Sequence, residues 1–105
     1  MSAATRLWRR AVGYQALVAV TYDPHLSLVR PVVPLTPRGC QECLRIGSPW
    51  VHLRLCLTCG HVGCCNSCKN KYATKHFHAT SHPIVRSIEP GEGWRWCYPD
   101  ELFME

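Results

Sequence analysis

Cys40-Gln-Glu-Cys43, Cys56-Leu-Thr-Cys59-Gly-His-Val-Gly-Cys64-Cys65-Asn-Ser-Cys68 and His76-Phe-His-Ala-Thr-Ser-His82 are the runs that decide how this chain folds. Seven of its eight cysteines fall between residues 40 and 68. Such density means staples, either disulfides or metal, because a chain this short buries little apolar surface by itself. An even cysteine number permits disulfides. The two Cys-x-x-Cys pairs and the later His76 and His82 argue instead for zinc, which takes thiolate and imidazole together, whereas a disulfide framework has no use for the histidines. Four pairs of donors, Cys40/Cys43, Cys56/Cys59, Cys64/Cys68 and His76/His82, fill two tetrahedral sites. Sequential pairing would join Cys40, Cys43, Cys56 and Cys59. Interleaved pairing would join Cys40, Cys43, Cys64 and Cys68 at one ion, and Cys56, Cys59, His76 and His82 at the other. Spacing alone leaves both open.

Around this centre the chain has 105 residues, with 12 basic and 7 acidic side chains and a net charge of +5. The size is that of one domain and excludes a large enzyme core with a deep cleft. No apolar run reaches the length of about eighteen residues that a spanning helix needs. Residues 1–22 carry Arg6, Arg9 and Arg10 but no acid, and lead into an apolar stretch broken by Tyr14 and Gln15. They read as a poorly ordered or processed leader, with the domain proper over residues 23–105. Export would pair cysteines meant for metal, so a cytoplasmic location is expected.

The body reads as short elements between metal knuckles. Trp50 to Leu55 alternates apolar and polar residues, the mark of a half-buried strand. Residues 69–79 lack Gly and Pro, and a helix there would set Tyr72, His76 and Ala79 on one side. Strands are expected over residues 84–88 and 94–98, with Glu89-Pro-Gly-Glu-Gly93 as the turn between them. The predicted class is α+β: a short antiparallel sheet, one main helix and interleaved zinc knuckles.

The combination of Cys40-x-x-Cys43, Trp50-Val-His-Leu-Arg-Leu-Cys56-Leu-Thr-Cys59-Gly-His-Val-Gly-Cys64, His76-Phe-His-Ala-Thr-Ser-His82-Pro and Trp96-Cys-Tyr98 resembles the UBP-type zinc finger. That family is the ubiquitin-binding module of many deubiquitinases and also occurs as short standalone prokaryotic proteins. The resemblance implies the interleaved arrangement. It also shows a departure, since the family's fourth ligand at the first zinc, a histidine, falls on Tyr72. Cys68, which has no family counterpart, is read as the compensating thiolate. Some members hold a third zinc, at positions matched here by Asp23, His25, Cys97 and Asp100. Cys65 is read as a buried thiol, and His61 as a surface imidazole or one set behind a ligand.

In the family an aromatic-walled pocket receives a free carboxyl-terminal Gly-Gly tail. Residues matching its walls are Trp50, Trp96 and Tyr98. The arginine that anchors the tail carboxylate falls on Asn66, leaving Arg54, Arg95 or Lys71 as substitutes. The expected function is therefore a zinc-binding protein-interaction module, with two zinc ions and a third site open. Its expected partner is a ubiquitin or ubiquitin-like C-terminus, with no membrane and no nucleic acid. The competing reading is a cross-braced, RING-like adaptor using Ile46 and Leu57. Catalysis is not expected, since four protein donors close each main site and no acid/base constellation is visible.

Overall fold

Strand β1, Leu53–Cys56, is the hub of the fold. Leu53 and Leu55 turn to one face and are buried, while Arg54 turns to the other. The computed structural model describes residues 23–104, so the leader expected over residues 1–22 lies outside the described residues. β1 pairs antiparallel with β2, Val62–Cys64, on one side and with β3, Ile84–Ser87, on the other. β4, Arg95–Cys97, and β5, Leu102–Met104, extend the sheet to the order β2-β1-β3-β4-β5. A short helix α1, Gln41–Ile46, and a longer helix α2, Tyr72–Thr80, complete an α+β domain; a 3-10 turn at Pro24–Leu28 precedes them. Among the described residues no helix is long and apolar enough to cross a membrane.

Sulfur chemistry trims the elements that periodicity predicts. The strand expected from Trp50 begins at Leu53, because the Val51 amide donates to Cys68 Sγ at 3.0 Å instead of to a neighbouring strand. The helix expected from residue 69 begins at Tyr72. Lys71 has a φ of 53°, outside helical backbone, and the Tyr72 amide goes to Cys64 Sγ at 3.2 Å. Of the three residues expected on one side, Tyr72 and His76 are half-buried and Ala79 is exposed, and Ala73 is the helical residue in the interior.

α2 lies directly over β2. A Cβ on Gly63 would stand 2.6 Å from the Ala73 nitrogen, so only glycine lets helix and strand approach this closely. Register then sorts the sheet into two faces. Arg54 opposes Ser87, Val85 opposes Trp96, and Trp96 opposes Phe103, placing all five on one face. Leu53, Leu55, Ile84, Cys97, Leu102 and Met104 point the other way into the core.

Candidate metal centres and an aromatic pocket

Cys56 closes β1, and Cys59 follows in a knuckle where the Gly60 amide returns to the Cys56 carbonyl at 2.9 Å. Gly60 has a φ of 89°, and a Cβ there would strike the Val33 carbonyl oxygen at 2.5 Å. His76 comes from α2, and His82 from the loop that leads into β3. Cys59 Sγ lies 3.3 Å from His76 Nε2, His82 Nδ1 3.4 Å from His76 Nε2, and Cys56 Sγ 3.6 Å from His82 Nδ1. A tetrahedral zinc with bonds of 2.0–2.3 Å requires donor separations of about 3.3–3.8 Å, which these donors meet. Burial pushes the Cys56 thiol above its usual range. Burial and the neighbouring His61 and His82 push His76 down to about 4, so its imidazole is held neutral, the form that binds metal.

Cys40, Cys43 and Cys64 form a second group, all buried and mutually within 4.8 Å. Cys40 caps α1, its sulfur accepting the Cys43 amide at 3.4 Å. Cys43 and Cys64 sulfurs are 3.9 Å apart, and the Asn70 side-chain amide donates to Cys43 Sγ at 3.6 Å. Burial pushes Cys64 up to about 12, with Cys40, Cys43 and Cys68 adding to the rise. Thiols this reluctant to ionise become thiolates when a cation shares the site.

Cys68, expected as the fourth donor here, stands outside that mutual set. Its sulfur takes the Val51 amide and lies 3.5 Å from Cys65 Sγ, while staying near enough to Cys64 for the two thiols to affect each other's ionisation. The Tyr72 ring sits under the Lys75 ammonium at 5.0 Å.

The third group is Asp23, His25, Cys97 and Asp100, again with all donor atoms within 4.8 Å. His25 Nδ1 lies 2.9 Å from Asp23 Oδ1 and 3.0 Å from Asp100 Oδ2. Cys97 Sγ lies 3.6, 3.5 and 3.8 Å from Asp23, His25 and Asp100 respectively. Asp23 is fully buried, and its Oδ2 has no hydrogen-bond partner. Burial alone would raise the Asp23 carboxyl, yet hydrogen bonds with Asp100 and His25 hold it below its usual range. The bond shared with Asp23, together with burial, raises Asp100. Burial pushes Cys97 up to about 12.

Two residues that spacing did not single out tie the first two groups together. His61 Nε2 meets both oxygens of Glu42, at 2.9 and 2.8 Å, and its ring stacks on His76 at 4.0 Å between centroids. His61 is buried against His76 and is not a surface imidazole. None of the eight cysteines is in a disulfide.

On the sheet face away from the core lies a cavity of about 270 Å³. Trp94, Trp96, Tyr98 and Phe103 wall it, and Cys65, Asn66 and Ser67 form its loop side. Of the three residues expected as tail-pocket walls, Trp96 and Tyr98 are among those that line the cavity. Trp50 is not among the lining residues: it precedes β1, so strand alternation does not carry it onto the pocket face, and its ring packs over Gly39. Trp94 and Phe103 take that share of the wall. Of the three candidate cations, Arg54 lines the cavity and Arg95 and Lys71 do not. The Arg54 guanidinium lies 4.5 Å over Trp94, donates to Ser87 Oγ at 3.2 Å and stands 3.8 Å from Glu92. Asn66, at the arginine position, accepts from Thr74 Oγ1 at 2.7 Å. Of the two residues offered for adaptor docking, Ile46 is exposed and Leu57 is buried, so they share no surface.

A small antiparallel sheet whose knuckles and helix bring Cys and His donors together defines a zinc-finger module. A family model described as "Zn-finger in ubiquitin-hydrolases and other protein" matches residues 40–105, and the chain belongs to this UBP-type zinc-finger family. The clusters are compatible with Zn2+ in donor chemistry and spacing. The solution NMR structure of protein RPA1320 from Rhodopseudomonas palustris is 55% identical, with a TM-score of 0.75, covering 82% of this chain and 83% of that one. No curated protein matches the chain.

Proposed function

We propose that this zinc finger is a binding module, not a catalyst, which receives a free carboxyl-terminal Gly-Gly tail of ubiquitin type in its aromatic cavity. The observation that carries the reading is the placement of Arg54 at a cavity walled by four aromatic rings. Flat walls accept a glycine backbone where a side chain would clash, and a guanidinium answers a terminal carboxylate with charge-assisted hydrogen bonds. Arg54 thereby replaces the charge missing at Asn66.

Zinc is assigned to Cys56, Cys59, His76 and His82, and to Cys40, Cys43 and Cys64 with Cys68 as the remaining thiolate beside Cys64. Asp23, His25, Cys97 and Asp100 form a third site; the unpartnered Asp23 Oδ2 supports a cation there. Closed four-donor sites hold the fold and leave no open coordination position for chemistry. Thiolate ligands of this number suit a reducing, cytoplasmic compartment.

The test is calorimetric titration of the zinc-loaded chain with a peptide ending in free Gly-Gly and with its amidated twin. Binding should weaken about tenfold to a hundredfold on amidation and by a similar factor in Arg54→Ala, the loss of one charge-assisted hydrogen bond. Binding that ignores both changes would remove the tail-carboxylate reading.

A further inference from the structure

Cys65 and Cys68 are the two cysteines outside all three mutual donor groups, and they face each other. Their sulfurs are 3.5 Å apart. The Cys68 amide donates to the Cys65 carbonyl at 3.0 Å, so the two residues close a β-turn. Residues joined this way have Cα atoms less than about 7 Å apart, close to the span of about 4.4–6.8 Å over which a disulfide closes without moving backbone. The turn belongs to no helix or strand, while both thiols are packed into the core. Cys65 lines the cavity with 7% of its surface exposed, whereas Cys68, at 3%, has the Val51 amide aimed at its sulfur. His52 Nδ1 lies 3.8 Å from Cys65 Sγ.

We propose that Cys65 and Cys68 form an oxidisable dithiol at the cavity, converted to a disulfide by hydrogen peroxide. The Cys65 sulfur attacks the O–O bond and takes one oxygen to become the sulfenic acid, and the other oxygen leaves as water. The Cys68 sulfur then attacks the Cys65 sulfur, the S–S bond forms, and the sulfenic oxygen leaves as a second water. Two thiols and one hydrogen peroxide thus give one disulfide and two waters, with the thiols oxidised and the peroxide reduced. The modification acts on the loop that walls the cavity, through Asn66 and Ser67 between the two cysteines. Neither step depends on what the cavity binds.

The experiment treats the zinc-loaded full chain with one equivalent of hydrogen peroxide. Remaining thiols are then capped in denaturant with chelator, and the caps are located by tandem mass spectrometry. The expected product has lost two hydrogens, carries six caps and lacks them only at Cys65 and Cys68. Cys65→Ser should keep its zinc and form no disulfide at that dose. Disulfides that appear first among other cysteines, or an unmodified Cys65–Cys68 pair, would overturn the proposal; if the variant fails to fold, mapping of the unaltered chain decides alone. Zinc released during the reaction separates this from the ligand assignment. A Cys65–Cys68 disulfide with one zinc lost supports the dithiol and Cys68 as a ligand together. The same disulfide with all zinc retained supports the dithiol and removes Cys68 from the zinc site.

Discussion

His76 shows how single side chains here are tuned for metal. Burial beside His61 and His82 brings it from 6.5 to about 4, so it stays neutral well below the range where a free imidazole charges. Between about pH 6.5 and pH 4 the unfolded chain holds the extra proton, so acid favours unfolding. The contribution of a neutral His76 is complete above about pH 6.5 and is lost as pH falls towards 4. Competition of protons with zinc for the same nitrogen acts in the same direction. Thermal melts followed by circular dichroism should therefore show a midpoint that falls steadily over this window. A midpoint that stays flat from pH 7 to pH 4 would contradict the assignment.

At the level of elements, the close crossing of α2 over β2 is what brings His76 from the helix to the Cys56–Cys59 knuckle. Gly63→Ala puts a methyl group 2.6 Å from the Ala73 nitrogen and 2.8 Å from its Cα, both backbone atoms that cannot swing aside. Overpacking of this kind costs about 1–3 kcal/mol, and each kcal/mol shifts the midpoint by roughly 4–8 °C in a domain of this size. The zinc-loaded variant should melt lower by that amount; an unchanged midpoint would mean the helix does not rest on Gly63. The same crossing explains what the sequence shows and what it hides. β1, β3, β4 and α2 are legible because their alternation or breaker-free runs survive in the fold. α1, β2 and β5 are hidden: α1 is six residues that start within a Cys-x-x-Cys knuckle, β2 is three residues ending on Cys64, and β5 is three residues long. Element starts shift because Val51 and Tyr72 give their amides to sulfur, a demand that propensity does not encode. The donors were legible as pairs, but their partition rested on resemblance, since Cys59 and Cys64 are close under either pairing. Trp94 and Phe103 became part of the pocket only when the β3–β4–β5 register placed them on the Arg54 face.

For the whole molecule, the metal replaces the large core that the chain lacks. Its interior includes Cys40, Cys43, Cys56, Cys64 and Cys97 at 1% exposure or less, positions that a metal-free domain would fill with aliphatic side chains. Structural zinc contributes on the order of 10 kcal/mol to folding at such sites, comparable to the whole margin of about 5–15 kcal/mol by which ordinary domains are stable. Glu42 and His61 join the first two donor groups into one unit, so removal of metal should unfold the domain in a single transition. Thiolate and imidazole clusters hold zinc and zinc holds the fold, so native mass spectrometry during stepwise chelation is the decisive measurement. The expected result is at least two zinc ions per chain at the start, with charge states shifting to those of an unfolded chain as zinc is stripped. A chain that keeps its compact charge states without zinc, or whose mass is short by two hydrogens for each of several cysteine pairs before any oxidant is added, would contradict it.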